Sequence, residues 1–185
     1  YALRGLVYFD VQLHGPSRDL HSGVYGGTLA NPCTILTRIL GRLFDDQHRV
    51  TIPGFYDDVL PLTDAERRQW RKLDFTDQSF LGEIGVQTPY GESGFTTLER
   101  RWSRPACDVN GIYGGYTGPG SKTLLANEVT VKMDIRTVPY MDPKKVIEQL
   151  KAHFTKLGID DRTEVTYENA YNWCRMKVNE PCIQA

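Results

Sequence analysis

The clearest strand signal in the chain is the stretch Val129-Thr130-Val131-Lys132-Met133-Asp134-Ile135-Arg136. Apolar and polar residues alternate through it without interruption. This period of two predicts a β-strand with one face in a core and the other face polar. Residues 3–14 alternate in the same way. Weaker alternation predicts two further strands, at about 105–114 and about 163–171.

Two other stretches have the three- and four-residue spacing of amphipathic helices. The first covers about residues 28–45, and its apolar stripe consists of Leu29, Cys33, Leu36, Ile39, Leu40, Leu43 and Phe44. The second begins at Asp142-Pro143, where an N-cap residue precedes a proline at the first helical position, and it ends at Gly158. We predict one helix for each stretch.

The resulting order is strand, helix, strand, strand, helix, strand, which is typical of the split βαβ or ferredoxin-like pattern. We therefore predict an α+β fold, a ferredoxin-like βαββαβ sandwich whose four-stranded antiparallel sheet carries two helices on one face. About 55 residues separate the first helix from the second strand, too many for a connecting loop. We predict an insertion subdomain over residues 47–101, with helix-like segments at 63–73 and 75–85.

The composition describes one domain of ordinary charge. The 185 residues include 22 basic and 23 acidic side chains, a formal net charge of -1. Such a balance argues against a nucleic-acid partner, and no apolar run is long enough to cross a membrane, so we expect neither partner. The four cysteines form no Cys-x-x-Cys pair, which favours reduced thiols in a cytoplasmic protein. They are Cys33, Cys107, Cys174 and Cys182.

The two ends of the sequence resemble internal positions of a longer chain. Tyr1 opens directly into a strand-like run, and the last residues, 179–185, stop where a helix could begin. We expect the chain to be a domain excised from a larger protein, whose active site would then extend beyond it.

The loop after the first strand reads Asp19-Leu20-His21-Ser22-Gly23-Val24-Tyr25-Gly26-Gly27. Loops at strand ends often carry function, and His21 could bind a metal, act as an acid or base, or donate to a developing oxyanion. The alternative is that His21 is a loop residue bonded to Asp19. The sequence alone leaves both open.

A second glycine-rich loop, residues 111–123, resembles a phosphate cradle but does not meet its requirements. A phosphate-binding loop has Gly directly before Lys and a helix after it, whereas here Ser121 intervenes and a strand follows. Arg136 lies on the polar face of its strand beside Asp134. It could bind a ligand carboxylate through its guanidinium, or it could simply pair with Asp134 or a neighbouring strand.

Four motifs together resemble the zinc-dependent dipeptidase family of carnosinase and cytosolic non-specific dipeptidase, in the aminoacylase and glutamate carboxypeptidase superfamily. They are Arg4-Gly5, the loop 19–27, Gly118-Pro119-Gly120-Ser121-Lys122-Thr123 and Asp134-Ile135-Arg136-Thr137-Val138-Pro139. The segments Ile52-Pro53-Gly54-Phe55 and Glu99-Arg100-Arg101-Trp102 also resemble the family. The long string around His21 is the most specific of these motifs.

The resemblance implies that residues 1–185 form a single dimerisation or lid domain, inserted into a separate catalytic domain that holds two zinc ions. The family's metal ligands have no counterpart in this chain, so we expect it to bind no metal and to be inactive alone. The implied partners are a second copy of the chain, the catalytic domain of the same polypeptide and a short peptide substrate.

Three side chains take roles from the resemblance. It implies that His21 reaches into the partner subunit's active site and stabilises the oxyanion, that Thr123 binds substrate, and that Arg136 holds the substrate's terminal carboxylate. The competing hypothesis is a free-standing, non-enzymatic module that binds a peptide or a small carboxylate.

Overall fold

The computed structural model describes residues 2–157 and 163–175. Its strands in chain order are β1 (Ala2–Leu3), β2 (Gly5–His14), β3 (Leu20–His21), β4 (Ala106–Gly114), β5 (Leu124–Leu125), β6 (Glu128–Thr137), β7 (Thr163–Tyr171) and β8 (Cys174–Arg175). Its helices are α1 (Ser22–Tyr25), α2 (Pro32–Leu40), α3 (Asp64–Trp70), α4 (Asp77–Gly82), α5 (Thr97–Trp102) and α6 (Pro143–Lys156).

The four long strands form one antiparallel sheet in the order β4-β6-β2-β7. β2 pairs with β6 along its whole length, from Gly5 opposite Thr137 to His14 opposite Glu128. β4 is an edge strand, and its pairing with β6 shifts register between Val109 and Gly111. The predicted α+β class and the four-stranded antiparallel sheet are confirmed.

One face of this sheet carries the core. The alternating apolar residues of β2 and β6 pack there against helices α2 and α6. The core side chains from these four elements include Val7, Phe9, Val11, Leu36, Ile39, Val131, Met133, Ile135, Val146, Leu150 and Phe154. The even-numbered residues of β6, among them Asp134 and Arg136, therefore lie on the opposite face.

The first predicted helix is shorter than expected. α2 begins after Asn31, whose side chain caps it by accepting from the Cys33 amide, and it ends at Gly41. Leu29 lies outside the helix and is exposed, and Phe44 forms a β-bridge with Val50. The second predicted helix is confirmed at its start, where Asp142 accepts from the Lys144 amide; its predicted end at Gly158 lies outside the described residues.

The segment between α2 and β4 contains the three short helices α3, α4 and α5. The first two correspond to the helix-like segments predicted at 63–73 and 75–85, whereas α5 was not predicted. Both α3 and α5 begin with a capping box, formed by Thr63 with Glu66 and by Thr96 with Glu99. Ile52 and Phe55 belong to the main core, so the boundary at residue 47 stays a prediction.

Two contacts fix this segment. Glu92, which is buried, accepts two bonds of 2.7 Å from the Arg104 guanidinium. Arg4 donates to the backbone carbonyls of Arg101 and Arg104, at the C-terminal end of α5. Gly5 must be glycine, because a Cβ there would lie 2.3 Å from Thr137 Oγ1. These contacts explain the Arg4-Gly5 motif structurally.

Within residues 2–157 and 163–175, no helix has the length and apolar character needed to span a membrane.

Candidate functional site

The two glycine-rich loops of the sequence meet in the structure. Strand β3 pairs with β5, which places His21 opposite Leu124. The Ser22 amide donates to the Thr123 carbonyl at 3.1 Å. Asp19 also connects the two loops, because its Oδ1 accepts a hydrogen bond from the amide of Asn127, just before β6. The pairing therefore brings the His21 loop and Thr123 to one end of the sheet.

The His21 imidazole has a hydrogen-bond partner at each ring nitrogen. Its Nδ1 accepts from the Gly23 amide at 3.0 Å, and its Nε2 lies 3.0 Å from Thr123 Oγ1. Because an amide can only donate, Nδ1 must be unprotonated, and the neutral ring then carries its proton on Nε2. His21 is therefore held as an Nε2–H donor directed at the Thr123 hydroxyl.

The alternative reading of His21, as a loop residue bonded to Asp19, does not match this geometry, since Asp19 bonds to the Asn127 amide instead. Gly23 allows the observed arrangement because it has no side chain. A Cβ at Gly23 would lie 2.8 Å from His21 Cε1 and 3.0 Å from Nδ1. Sequence reasoning assigned Gly23 only a turning role, and its presence in the specific motif was the available signal.

Thr123 lies at the end of the loop between β4 and β5, which is stabilised by contacts among its own residues. Gly114, Gly115 and Gly120 have positive φ angles, as the sharp turns require. The Tyr116 hydroxyl donates to the Pro119 carbonyl at 2.7 Å, and its ring lies where a Cβ of Gly118 would be. Strand β5 follows Thr123 directly, so the loop lacks the helix of a phosphate-binding loop.

His21 and Thr123 are both exposed. Around them, Val24 and Tyr25 on α1 are exposed apolar side chains. The pair therefore faces outward, where another molecule can contact it.

Arg136 pairs with Asp134, as one of its two sequence readings predicted. Its Nε donates to Asp134 Oδ2 at 3.0 Å. The Asp134 side chain is 8% exposed, whereas that of Arg136 is 43% exposed. The ion pair therefore has a buried acidic end and an accessible basic end.

Two more charged residues lie close to this pair. Asp108 stands opposite Asp134 in the register of β4 and β6. Burial raises the pKa of the Asp108 carboxyl and Asp134 raises it further, while Arg4 and Arg136 oppose the shift. Burial lowers the pKa of Arg4, and the charge of Arg136 lowers it further.

Arg136 does not join the His21–Thr123 pair. In the register of β6 with β2, Arg136 lies opposite Leu6, near the start of β2. Glu128, five residues after Thr123, lies opposite His14, at the end of β2. Arg136 is eight positions along β6 from Glu128, which corresponds to about 26 Å. The two candidate substrate contacts thus lie at opposite ends of the sheet.

Comparison with known proteins assigns the family. Residues 1–162 match the family model M20_dimer, the peptidase dimerisation domain. The chain belongs to the M20 peptidase dimerisation domain family. The Cys-Gly metallodipeptidase DUG1 of Candida albicans is 36% identical over 169 residues, which cover 89% of this chain and 35% of that protein. The human Beta-Ala-His dipeptidase is 32% identical over 153 residues, covering 83% of this chain and 30% of that protein.

Solved structures agree with this assignment. The M20 family metallo-carboxypeptidase Sso-CP2 from Sulfolobus solfataricus matches with a TM-score of 0.88 and 34% identity, covering 99% of this chain and 47% of that one. Human carnosine dipeptidase 1 matches with a TM-score of 0.84 and 28% identity, covering 100% of this chain and 40% of that one. The M20 dimerisation domain thus spans less than half the length of each of these proteins.

Among residues 2–157 and 163–175, no group of three or more His, Cys, Asp or Glu side chains could hold a metal ion. Cys33, Cys107 and Cys174 are free thiols, and burial raises the pKa of Cys107 to about 12. Cys182 lies outside the described residues.

Proposed function

We propose that the chain is the dimerisation and substrate-capping domain of a dinuclear zinc metallopeptidase that hydrolyses dipeptides or short peptides. In this proposal residues 1–185 form one lid domain, and residues 47–101 form an insertion subdomain within it. The main support is the exposed His21–Thr123 pair, whose Nε2–H is already directed as a donor. The names of the relatives, a Cys-Gly metallodipeptidase and a Beta-Ala-His dipeptidase, favour dipeptides as substrates.

His21 would donate to the substrate carbonyl oxygen as it becomes an oxyanion. A neutral N–H donor suits this task because it needs no proton transfer and strengthens as negative charge develops. Thr123, which accepts from the same Nε2–H in the free domain, would contact the substrate beside His21. Both side chains are exposed, and this is what a lid residue that meets a substrate on another domain requires.

Arg136 would hold the terminal carboxylate of the peptide. A dipeptide spans about 7 Å when fully extended, so it cannot reach both ends of a sheet about 26 Å long. Within one chain, His21 and Arg136 therefore cannot contact the same dipeptide. The geometry favours a two-fold dimer in which each active site takes His21 and Thr123 from one subunit and Arg136 from the other.

The dimer would form through the free edge of β4. This edge strand carries the exposed apolar side chains of Val109, Ile112 and Tyr113. Unpaired strand edges with apolar side chains are suited to self-complementary pairing. The loop that follows β4 leads to Thr123, so an interface there would place the His21–Thr123 pair beside the partner subunit.

The two zinc ions would be bound by the catalytic domain rather than by this chain, because no group of ligands among the described residues fits them. When bound there, they would activate water and polarise the peptide carbonyl. The residues of this chain would orient the substrate and stabilise charge. We also propose a cytoplasmic location, on the reduced state of the described cysteines.

The test compares the complete polypeptide that contains this domain with the 185-residue chain, using Cys-Gly and β-Ala-His as substrates. We expect zinc-dependent hydrolysis by the complete polypeptide and none by the chain alone. Hydrolysis by the chain alone would contradict the proposal. Dipeptide binding by the chain, with no hydrolysis by the complete polypeptide, would instead support the free-standing binding module.

The dimer is tested by sedimentation of the chain and of its Ile112→Lys variant. We expect a concentration-dependent dimer that the buried charge of the variant weakens. Ile84→Lys, in the segment that follows α4, is a matched control, since Ile84 is also an exposed isoleucine but does not belong to β4. A chain that remains monomeric at high concentration would show that this domain does not carry the interface by itself.

A further inference from the structure

The ion pair between Arg136 and Asp134 leaves part of the guanidinium free. Asp134 accepts from Nε alone. Within the described part of the chain, no hydrogen-bond partner of the two Nη groups of Arg136 is found, and the side chain is 43% exposed. A guanidinium offers five N–H donors in a planar fork. The end that carries four of these donors therefore remains accessible.

Asp134 is suited to hold its partner still. It is buried and sits in the middle of the sheet, with Tyr8 opposite it on β2 and Asp108 opposite it on β4. A buried carboxylate requires a charged or hydrogen-bonding partner, and Asp108 adds a like charge that makes a cation more necessary. Arg4 uses both its Nη groups on backbone carbonyls, so Arg136 is the cation bonded to Asp134.

We propose that Asp134 is a positioning residue, which holds Arg136 by Nε so that its two Nη groups point as a pair at the terminal carboxylate of a peptide. This inference rests on the proposed function of Arg136. Fixing a long side chain beforehand removes conformational entropy that binding would otherwise cost. It also selects the end-on, bidentate mode of carboxylate recognition, because the Nε edge is occupied.

Asp10 provides a matched control on the same face of the sheet. Asp10 on β2 accepts a hydrogen bond from the Nζ of Lys132 on β6. Lys132 lies two residues before Asp134 on the same strand. The Asp10 side chain is more exposed than that of Asp134, at 22% against 8%. Replacing Asp10 removes a cross-strand ion pair without touching Arg136.

The experiment measures steady-state kinetics of the complete dipeptidase with a dipeptide and with the same dipeptide as its C-terminal amide. The variants are Asp134→Asn, Asp10→Asn, Arg136→Ala and the double variant Asp134→Asn/Arg136→Ala. For Asp134→Asn we expect KM for the free acid to rise about tenfold with little change in kcat. The preference for acid over amide, taken as a ratio of kcat/KM values, should fall by the same factor.

This ratio does not depend on how much of a variant is folded, because both substrates are measured on the same preparation. In the Arg136→Ala background, Asp134→Asn should have no further effect on the ratio of acid to amide kcat/KM values. Asp10→Asn as a single substitution should leave this ratio at its wild-type value. An unchanged ratio in Asp134→Asn, with a reduced ratio in Arg136→Ala, would overturn this inference alone. An unchanged ratio in Arg136→Ala would overturn the carboxylate role of Arg136 as well.

Discussion

His21 Nε2 lies 3.0 Å from Thr123 Oγ1, although 102 residues separate the two in the sequence. The contact depends on the pairing of β3 with β5, two strands of two residues each. Because the Gly23 amide donates a hydrogen bond to Nδ1, the proton of the neutral imidazole is on Nε2, the nitrogen that faces Thr123. The free domain thus already holds the donor that an oxyanion would need.

Replacing His21 should lower turnover more than binding. If its Nε2–H donates only to charge that develops in the transition state, His21→Ala in the complete enzyme should lower kcat by about 100-fold or more, with a smaller change in KM. Steady-state kinetics on a dipeptide measures this. His14→Ala is the matched control, since His14 is an exposed histidine beside Glu128 at the end of β2. A raised KM with an unchanged kcat would contradict the oxyanion role.

Gly23 should fix the tautomer of His21. In the chain labelled with ¹⁵N, two-bond correlations of the imidazole should report protonated Nε2 and unprotonated Nδ1 at neutral pH. Gly23→Ala should displace the ring and give a mixture of tautomers, because its Cβ would lie 2.8 Å from Cε1. Gly82→Ala should leave the spectrum unchanged, since no atom lies within 4 Å of that Cβ. Nδ1–H as the main form in the wild type would refute the assignment.

The sequence predicts β6 and β2 well because each has one buried and one polar face, which leaves a period of two. Helix α2 was predicted too long, because apolar residues beyond its end keep the spacing of a helix. Leu43 and Phe44 continue the helical spacing, but Gly41 ends the helix. Leu43 lies in the bend that follows, and Phe44 forms a β-bridge with Val50. Helix α5 has only six residues, too few for periodicity, although its Thr96 and Glu99 capping box was a readable signal.

The candidate site was predicted as separate residues and not as an arrangement. His21, Thr123 and Arg136 stand in motifs that resemble a family, so each could be named from the sequence. The contact of His21 with Thr123 could not, because strands as short as β3 and β5 leave no alternation to read. The distance between this pair and Arg136 follows from the register of β2 with β6, which only the structure gives.

Breaking the buried Glu92–Arg104 ion pair should destabilise the chain strongly. Glu92 is 6% exposed and Arg104 is 12% exposed, and removal of one partner from a buried pair leaves an uncompensated charge. Glu92→Ala should therefore lower the free energy of unfolding by about 3 kcal/mol, measured by urea denaturation of the chain. Asp58→Ala, which removes an exposed pair with Lys145, should cause a much smaller change. Equal losses in the two variants would contradict the assignment.

His153 should make stability depend on pH. Its side chain is buried on α6, its Nε2 has no partner among the described residues, and burial, followed by Lys156, lowers its pKa. The folded state therefore binds fewer protons than the unfolded state, in which the pKa is about 6.5. The stabilisation is complete above that value and is lost as the pH falls below it.

The urea midpoint of the chain should accordingly be lower at pH 5.5 than at pH 7.5. His153→Leu should reduce this difference, because leucine has no proton to gain. His14→Leu, at the exposed end of β2, serves as the control and should leave the difference nearly unchanged. If His153→Leu retained the whole pH dependence, another group would be responsible.

Mixing two impaired variants, assayed as kcat/KM, should restore activity if each active site combines residues of two subunits. In a mixed dimer of His21→Ala and Arg136→Ala subunits, one site receives both substitutions and the other receives neither. Random exchange makes half of the dimers mixed, each with one intact site of two, so recovery should approach about a quarter of wild-type activity.

Mixtures of His21→Ala with Thr123→Val should not recover, because these two residues act from the same subunit and every site then has one substitution. Subunit exchange is confirmed by native mass spectrometry of mixed dimers. If exchange is complete and the first mixture shows no more activity than the mean of its parents, His21 and Arg136 do not act from different subunits.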